Sequence, residues 1–235
     1  MNTYAQTDVG KTRDVNEDAV LATVVDDVAL LIVADGMGGH AAGDVASEMA
    51  VEQIEDEVLD GLNSGHADYE RLLGSAITAA NRRICDAAAA DTSLSGMGTT
   101  VVAALIDETS ALVATVGDSR CYHIDDELTQ VTTDQSLVQE LVEAGEITQA
   151  EAREHPQRNV VSQALGTTED VSPDFYRFTP TGVVLLCSDG LSEEVKPSAL
   201  QQLVTAHSSL SATADALINR ANENGGSDNI SVVLG

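Results

Sequence analysis

Four carboxylates recur in one local setting. Asp35 closes the apolar run 28–34 and leads into Gly36-Met37-Gly38-Gly39-His40. Asp189 follows the run 183–187 in Cys187-Ser188-Asp189-Gly190. Asp118 sits in Gly117-Asp118-Ser119-Arg120 after the run 112–116, and Asp228 in Gly225-Gly226-Ser227-Asp228-Asn229 before the run 230–234. One Asp-Gly pair at a strand end reads as an ordinary turn. Glycine also lets the backbone come close to another group, and hard cations and phosphates use such places. Four of them suggest convergence on one cation site, because carboxylates gathered at strand ends repel unless a cation neutralises them. Upstream, Arg13-Asp14-Val15-Asn16-Glu17-Asp18 adds further acids and one guanidinium. An arginine among acids reads either as a surface ion pair or as bidentate recognition of a phosphate oxyanion. Oxygen-only ligation selects Mg2+ or Mn2+ over zinc or copper. Two such ions about 3.5–4 Å apart activate a water and hold a phosphoryl group for in-line displacement.

Composition removes other chemistries. The three cysteines, Cys85, Cys121 and Cys187, match no zinc spacing and read as buried free thiols. The histidines at 40, 66, 123, 155 and 207 are scattered, so a zinc site is not expected. With 39 acidic against 11 basic residues the formal charge is -28, which repels nucleic acid and anionic membranes. Adaptation to a salt-rich cytoplasm is the leading reading of that charge. An acidic protein with a basic partner and a calcium-sequestering protein are the others, and the acids do not form the blocks expected of the last. No apolar run approaches bilayer length and no secretory signal is visible, so a cytoplasmic protein is expected.

The elements that position these residues are readable from periodicity. Runs 19–25 and 28–34 read as a hairpin joined at Asp26-Asp27. Segments 44–62 and 68–90 carry apolar stripes at helical spacing, and their stripes read as core. Runs 99–106, 111–116 and 120–124 read as an antiparallel meander. Helices are expected over 135–144, 149–154, 197–206 and 212–223, and strands over 183–188 and at the C-terminal end. Clustered strands with helix pairs between them make the class α+β, helices outside sheets. A length of 235 residues suits one domain, 1–235, with 137–162 as a candidate flap within it.

The ordered set of motifs resembles the metal-dependent PP2C-type (PPM family) protein phosphatases, in particular their compact prokaryotic branch. The matching stretches are Arg13…Asn16-Glu17-Asp18, Asp35-Gly36-Met37-Gly38-Gly39-His40, Gly98-Thr99-Thr100, Gly117-Asp118-Ser119-Arg120, Asp134-Gln135-Ser136, Ala164-Leu165-Gly166, Ser188-Asp189-Gly190-Leu191 and Gly226-Ser227-Asp228-Asn229-Ile230. The resemblance implies two stacked antiparallel sheets flanked by helix pairs and a two-metal centre at one end. It implies that Asp35 bridges both metals, that the Gly36 carbonyl binds one, and that Asp189 and Asp228 complete the second. Glu17 would be a ligand or hold a water, and Asp18 would stand behind the ligands. Asp118 with Asp189 would hold a third, weaker ion, and Arg13 would clamp the substrate phosphate. A bridging hydroxide would attack phosphorus in line, releasing the Ser or Thr alcohol of a phosphorylated protein, the product of a Ser/Thr kinase, without a phosphoenzyme. Asn229 would support the Asp228 loop, and Thr99, Thr100 and Ser119 would brace strand ends. Two positions depart from the pattern. Met37 stands where some relatives carry a histidine proposed as general acid, which leaves His40 or a metal-bound water for that role. Gln135 stands where many relatives have His, at a position read as structural. A catalytically weak regulatory relative and a structural calcium binder remain as alternatives to an active phosphatase, but no expected ligand is lost and the glycine–carboxylate motifs are ordered.

Overall fold

In chain order the elements are β1 (Tyr4–Asp8), β2 (Asp18–Val25), β3 (Val28–Met37), α1 (Gly43–Asn63), α2 (Tyr69–Ala90), β4 (Gly98–Thr99), β5 (Val101–Ile106), β6 (Ala111–Val116), β7 (Arg120–Ile124), β8 (Leu128–Gln130), α3 (Leu137–Glu143), α4 (Gln149–Glu154), β9 (Asp174–Phe178), β10 (Val183–Cys187), α5 (Asp189–Ser192), α6 (Pro197–Ala206), α7 (Leu210–Asn224) and β11 (Ile230–Leu234). This is a computed structural model, and it describes residues 1–38, 42–65 and 68–235.

Strands form two antiparallel sheets, ordered β1-β11-β10-β7-β8 and β2-β3-β5-β6-β9, with β4 paired to β3. Side chains alternate along a strand, so the central strands serve two cores at once. Leu30, Ile32 and Ala34 of β3 pack towards α1 and α2, while Ala29, Leu31 and Val33 pack towards the other sheet. Burial on both faces is why these runs look uniformly apolar in the sequence. On the far side α6 and α7 cover the first sheet through Leu200, Leu217 and Ile218. The result is four layers, helix pair, sheet, sheet and helix pair. Fully burying Ile54, Leu73, Ile77 and Ile84 contributes on the order of 1.5–3 kcal/mol each and clamps the first helix pair down.

Helix ends follow local chemistry. The Asp68 carboxylate accepts from Arg71 N as the N-cap, so α2 begins at Tyr69, one residue after the expected start at 68. Pro197 opens α6, and Thr148 with Glu151 forms a capping box on α4.

Several expectations need correction. The expected meander does not exist: β5 and β6 pair, but β7 belongs to the other sheet, where it pairs with β8 and β10. The chain changes sheets at Gly117, whose φ of 104° only glycine adopts readily. The run 99–106 is broken at Thr100, because β4 pairs with Gly36 and Met37 while β5 pairs with residues 29–33. β3 continues through Asp35 to Met37, so Asp35 lies inside a strand; Asp189 opens α5 and does not sit in an open turn. Helix 135–144 starts at Leu137, because the Ser136 hydroxyl accepts from Gln139 N. Strands β1, β8 and β9 were not expected: each lies at a sheet edge and is partly exposed, and β1 and β8 lack an apolar run. Cys121 and Cys187 are buried, but Cys85 is only half-buried. Among the described residues no helix is long and apolar enough to cross a membrane.

Candidate metal centre

Strand parity delivers the first site residues. Leu31 and Val33 face the gap between sheets, so Asp35 faces its end. Val20 and Ala22 of β2 share that gap, and Asp18 follows their parity directly opposite Asp35 in the register. Ser188 continues the parity of Val184 and Leu186, and Ser231 that of Val233. The apolar filling between the sheets thus ends in a polar cap. Ser188 Oγ and Ser231 Oγ both donate to Asp18 Oδ2, at 2.8 and 2.6 Å.

Two glycine-containing turns and one helix start bring the other acids. Asp118 follows the crossing at Gly117, Asp228 precedes β11, and Asp189 begins α5. These groups feel one another. Burial pushes the Asp35 carboxyl well above the carboxylate range, and Asp18, Asp189, Asp118 and Asp228 push it further. Asp189 is raised well above that range by burial, then by Asp118, Asp228, Glu193 and Asp18. Asp118 rises to about 6 through burial and Asp134, against the pull of Arg120. Asp18 rises to about 6 through burial, opposed by its two serine donors. Glu17 is raised by burial, with Arg13 opposing. Asp35, Asp118, Asp189 and Asp228 therefore lie near enough to raise one another. Among the described residues, however, no three His, Cys, Asp or Glu side chains make a ready-made ion cage.

The donor set suits a hard cation. Asp189 Oδ1 is buried and has no hydrogen-bond partner. Leaving a buried carboxylate oxygen unpaired is costly, and a cation satisfies it with no donor required. The surrounding oxygens of Asp35, Asp118 and Asp228 match Mg2+ or Mn2+ chemistry.

The supports are specific. Thr99 Oγ1 donates to the Asp35 carbonyl at 2.9 Å, Asp35 N donates to Thr100 Oγ1 at 3.1 Å, and Thr100 Oγ1 shares a 2.8 Å bond with Ser119 Oγ. All three hydroxyls are buried, as the reading of strand-end braces requires. Asn229 reaches further than the Asp228 loop. Its Oδ1 accepts from Glu17 N, and its Nδ2 donates to the Val9 and Val15 carbonyls, fixing the Arg13–Asp18 loop. Glu17 lies against the start of α1, where a Cβ on Gly43 would meet Glu17 Oε1 at 2.8 Å and one on Gly36 would meet the Gly43 carbonyl at 2.2 Å. Only glycines allow that approach.

Arg13 donates from Nη2 to Asp228 Oδ2 at 2.8 Å. Here it is an ion-pair residue, 47% exposed against 26% for Asp228. Exposed pairs contribute roughly 0.2–1 kcal/mol, so this one yields readily to a stronger partner. His40 lies outside the described residues. The sequence reading missed Arg120, whose fork takes Asp134 at 2.6–3.1 Å and whose Nη1 reaches Tyr122 Oη. Both residues stood in the quoted motifs, but charge alone does not show which acid an arginine selects. Ser188 and Ser231 were missed as donors for the same reason. Ala164-Leu165-Gly166 proves to be packing: Leu165 pairs with Thr99 through both backbone groups, and Gly166 N donates to Asn81.

Two antiparallel sheets between helix pairs, with carboxylates gathered at one end of the sandwich, define the class of four-layer phosphatases. The chain belongs to the protein phosphatase 2C family, whose model matches residues 8–235, and is a protein-serine/threonine phosphatase of that type. It is 41% identical over 239 aligned residues to the serine/threonine phosphatase stp of Listeria welshimeri, covering 100% of this chain and 95% of the relative. Its structure resembles that of the serine/threonine phosphatase Stp1 from Staphylococcus aureus, with TM-score 0.90, 35% identity, and 99% and 93% coverage. It also resembles the catalytic domain of the serine threonine protein phosphatase PstP in complex with two manganese ions, with TM-score 0.86, 36% identity, and 99% and 96% coverage.

Proposed function

We propose that the chain, as one catalytic domain over 1–235, hydrolyses phosphoserine and phosphothreonine in proteins with Mn2+ or Mg2+, using water as the nucleophile and forming no phosphoenzyme. The observation that carries this is the group of coupled oxygen donors around Asp35 and Asp189, with Asp189 Oδ1 buried and unpartnered. The related PstP catalytic domain with its two manganese ions supports a metal requirement.

Asp35, Asp189, Asp228, Glu17 and the Gly36 carbonyl would hold two inner ions, and Asp118 with Asp189 a weaker outer one. Bound divalent ions supply water activation and charge neutralisation for in-line displacement at phosphorus. The chain's own residues do the rest. Asp18, fixed by Ser188 and Ser231, sets the field behind Asp35. Arg13 exchanges Asp228 for the substrate phosphate, for which a planar guanidinium is well shaped. Water is the candidate proton donor to the leaving alcohol, with His40 the side-chain alternative. A thiol nucleophile is disfavoured, since burial pushes the nearby Cys187 up to about 12.

The partners are phosphorylated proteins, products of Ser/Thr kinases. The charge of -28 argues against nucleic acid and anionic membranes, and a cytoplasmic setting agrees with such substrates. Hydrolysis of a phosphothreonine peptide with and without Mn2+, then with excess EDTA, tests the reading. Undiminished turnover in EDTA, or a trapped phosphoenzyme on Cys or Ser, would refute it.

A further inference from the structure

The Gly117–Asp118 turn is held by one side chain that the reaction does not use. Gln135 Oε1 accepts from Gly117 N at 2.9 Å, and Gln135 N donates to the Gly117 carbonyl at 2.9 Å. Both backbone groups of Gly117 are therefore taken by one residue. The position requires glycine, because its φ is 104° and a Cβ there would lie 2.7 Å from Thr100 Cγ2. Thr100 in turn bonds Ser119 and receives the Asp35 amide.

Gln135 is also the root of the segment 137–162. Its carbonyl accepts from Ser162 N at 2.8 Å, and the next residue, Ser136, bridges Val161. Gln163 Nε2 donates to Gln135 Oε1 at 3.2 Å. Gln135 Nε2 donates to Asp174 Oδ2 on β9 at 2.8 Å. One amide group thus joins both ends of the segment, strand β9 and the turn that carries Asp118. The position demands an acceptor for Gly117 N–H and a donor for a carboxylate on the same side chain, which a neutral amide supplies.

We propose that Gln135 is a positioning residue for Asp118, locking the Gly117–Asp118 turn to the root of the 137–162 segment. The seating of that segment and the grip of Asp118 on a cation are then set by the same hydrogen bonds. The functional part of this inference rests on Asp118 holding the outer ion, as proposed above.

The test uses the full chain with Gln135→Ala and Gln135→Glu. Alanine removes all three contacts of the amide, to Gly117, Gln163 and Asp174; glutamate keeps the acceptor for Gly117 and sets a carboxylate against Asp174. Amide exchange at Gly117 is followed by NMR in the metal-free protein, and Mn2+ is titrated calorimetrically. For Gln135→Ala we expect Gly117 to lose protection and the weakest Mn2+ step to weaken on the order of fivefold, the size of one lost hydrogen bond, with tighter steps unchanged. Gln135→Glu should keep Gly117 protected and the weakest step no weaker than in the unaltered protein. Unchanged Gly117 exchange in Gln135→Ala overturns the proposal. So does lost protection with an unchanged weakest step, or a lower melting temperature as the sole effect. An unaltered protein that shows only two Mn2+ steps would instead remove the outer ion from the proposed function, and the Gly117 exchange would still decide whether Gln135 holds the turn.

Discussion

Asp18→Asn in metal-free protein isolates the repulsion built into the site. Asp18 and Asp35 face each other across β2 and β3, and side chains so placed have Cβ atoms about 4.5–5.5 Å apart. Two full charges at about 5 Å and an effective dielectric near 20 repel by about 3 kcal/mol, which is a ceiling because protons partly neutralise the pair. Asparagine keeps an oxygen for the Ser188 and Ser231 hydroxyls and removes the charge. At pH 8 with excess chelator, Asp18→Asn should therefore melt higher by several degrees, given roughly 2–4 °C per kcal/mol for a chain of this size. The pH dependence carries a sign. The folded carboxyl of Asp18 is held at about 6, above its unfolded value, so the folded state binds the proton more tightly. Its contribution to stability is present below about pH 4 and is lost as pH rises through about 6. The advantage of Asp18→Asn should accordingly shrink from pH 8 to pH 5. Saturating Mn2+ should reverse the order, since the charge that destabilises the free protein attracts cations. Differential scanning at both pH values, with and without Mn2+, makes the comparison. A lower midpoint for chelated Asp18→Asn at pH 8 would sink the argument, because it would mean that Asp35 does not oppose Asp18.

Arg13→Ala should leave Mn2+ titration essentially intact and lower kcat/KM on phosphopeptides, by roughly 1.5–3 kcal/mol for each lost charge-assisted hydrogen bond, with Arg13→Lys restoring part; unchanged kcat/KM would leave Arg13 as the ion-pair partner of Asp228 alone. Asp35→Asn should weaken both inner metals and nearly abolish turnover, whereas Asp118→Ala should keep two metals and slow phosphopeptide hydrolysis; a well-folded Asp118→Ala with full turnover would take Asp118 out of the site. The melting temperature should rise clearly from dilute buffer to molar KCl, because a charge of -28 repels itself and the Debye length falls to about 3 Å at 1 M; a flat or falling midpoint removes the salt-adaptation reading. Replacing 137–162 with a short Gly-Ser linker should change the ratio of phosphopeptide to p-nitrophenyl phosphate activity, and an unchanged ratio in a folded variant would assign the segment to packing.

The chain itself determined the strands that form the double core and the helices that cover them. Their signals are local: unbroken β-branched runs and stripes at helical spacing. It also named the acids, because glycine beside a carboxylate at the end of an apolar run is a pattern of types and spacing. Pairing was legible only between chain neighbours: the hairpin of 19–25 with 28–34 is found as β2 and β3, and β5 pairs with β6. Whether β7 continued a meander or crossed to the other sheet depended on what Arg120–Ile124 could pack against, and β10 and β8 decided that from 60 and a few residues away. Edge strands β1 and β8 gave no sign, since a half-exposed strand needs no apolar pattern. Partner choice was hidden for the same reason. Arg13 among six neighbouring residues of mixed charge reads the same whether it holds a phosphate or Asp228, and Arg120 selects Asp134 only because the sheet brings them together. Gln135 is the clearest case. Its type says only that it can donate and accept, and the fold alone makes it the knot between Gly117, Asp174 and Gln163, because hydrogen-bond partners far apart in sequence are set by where the backbone places them.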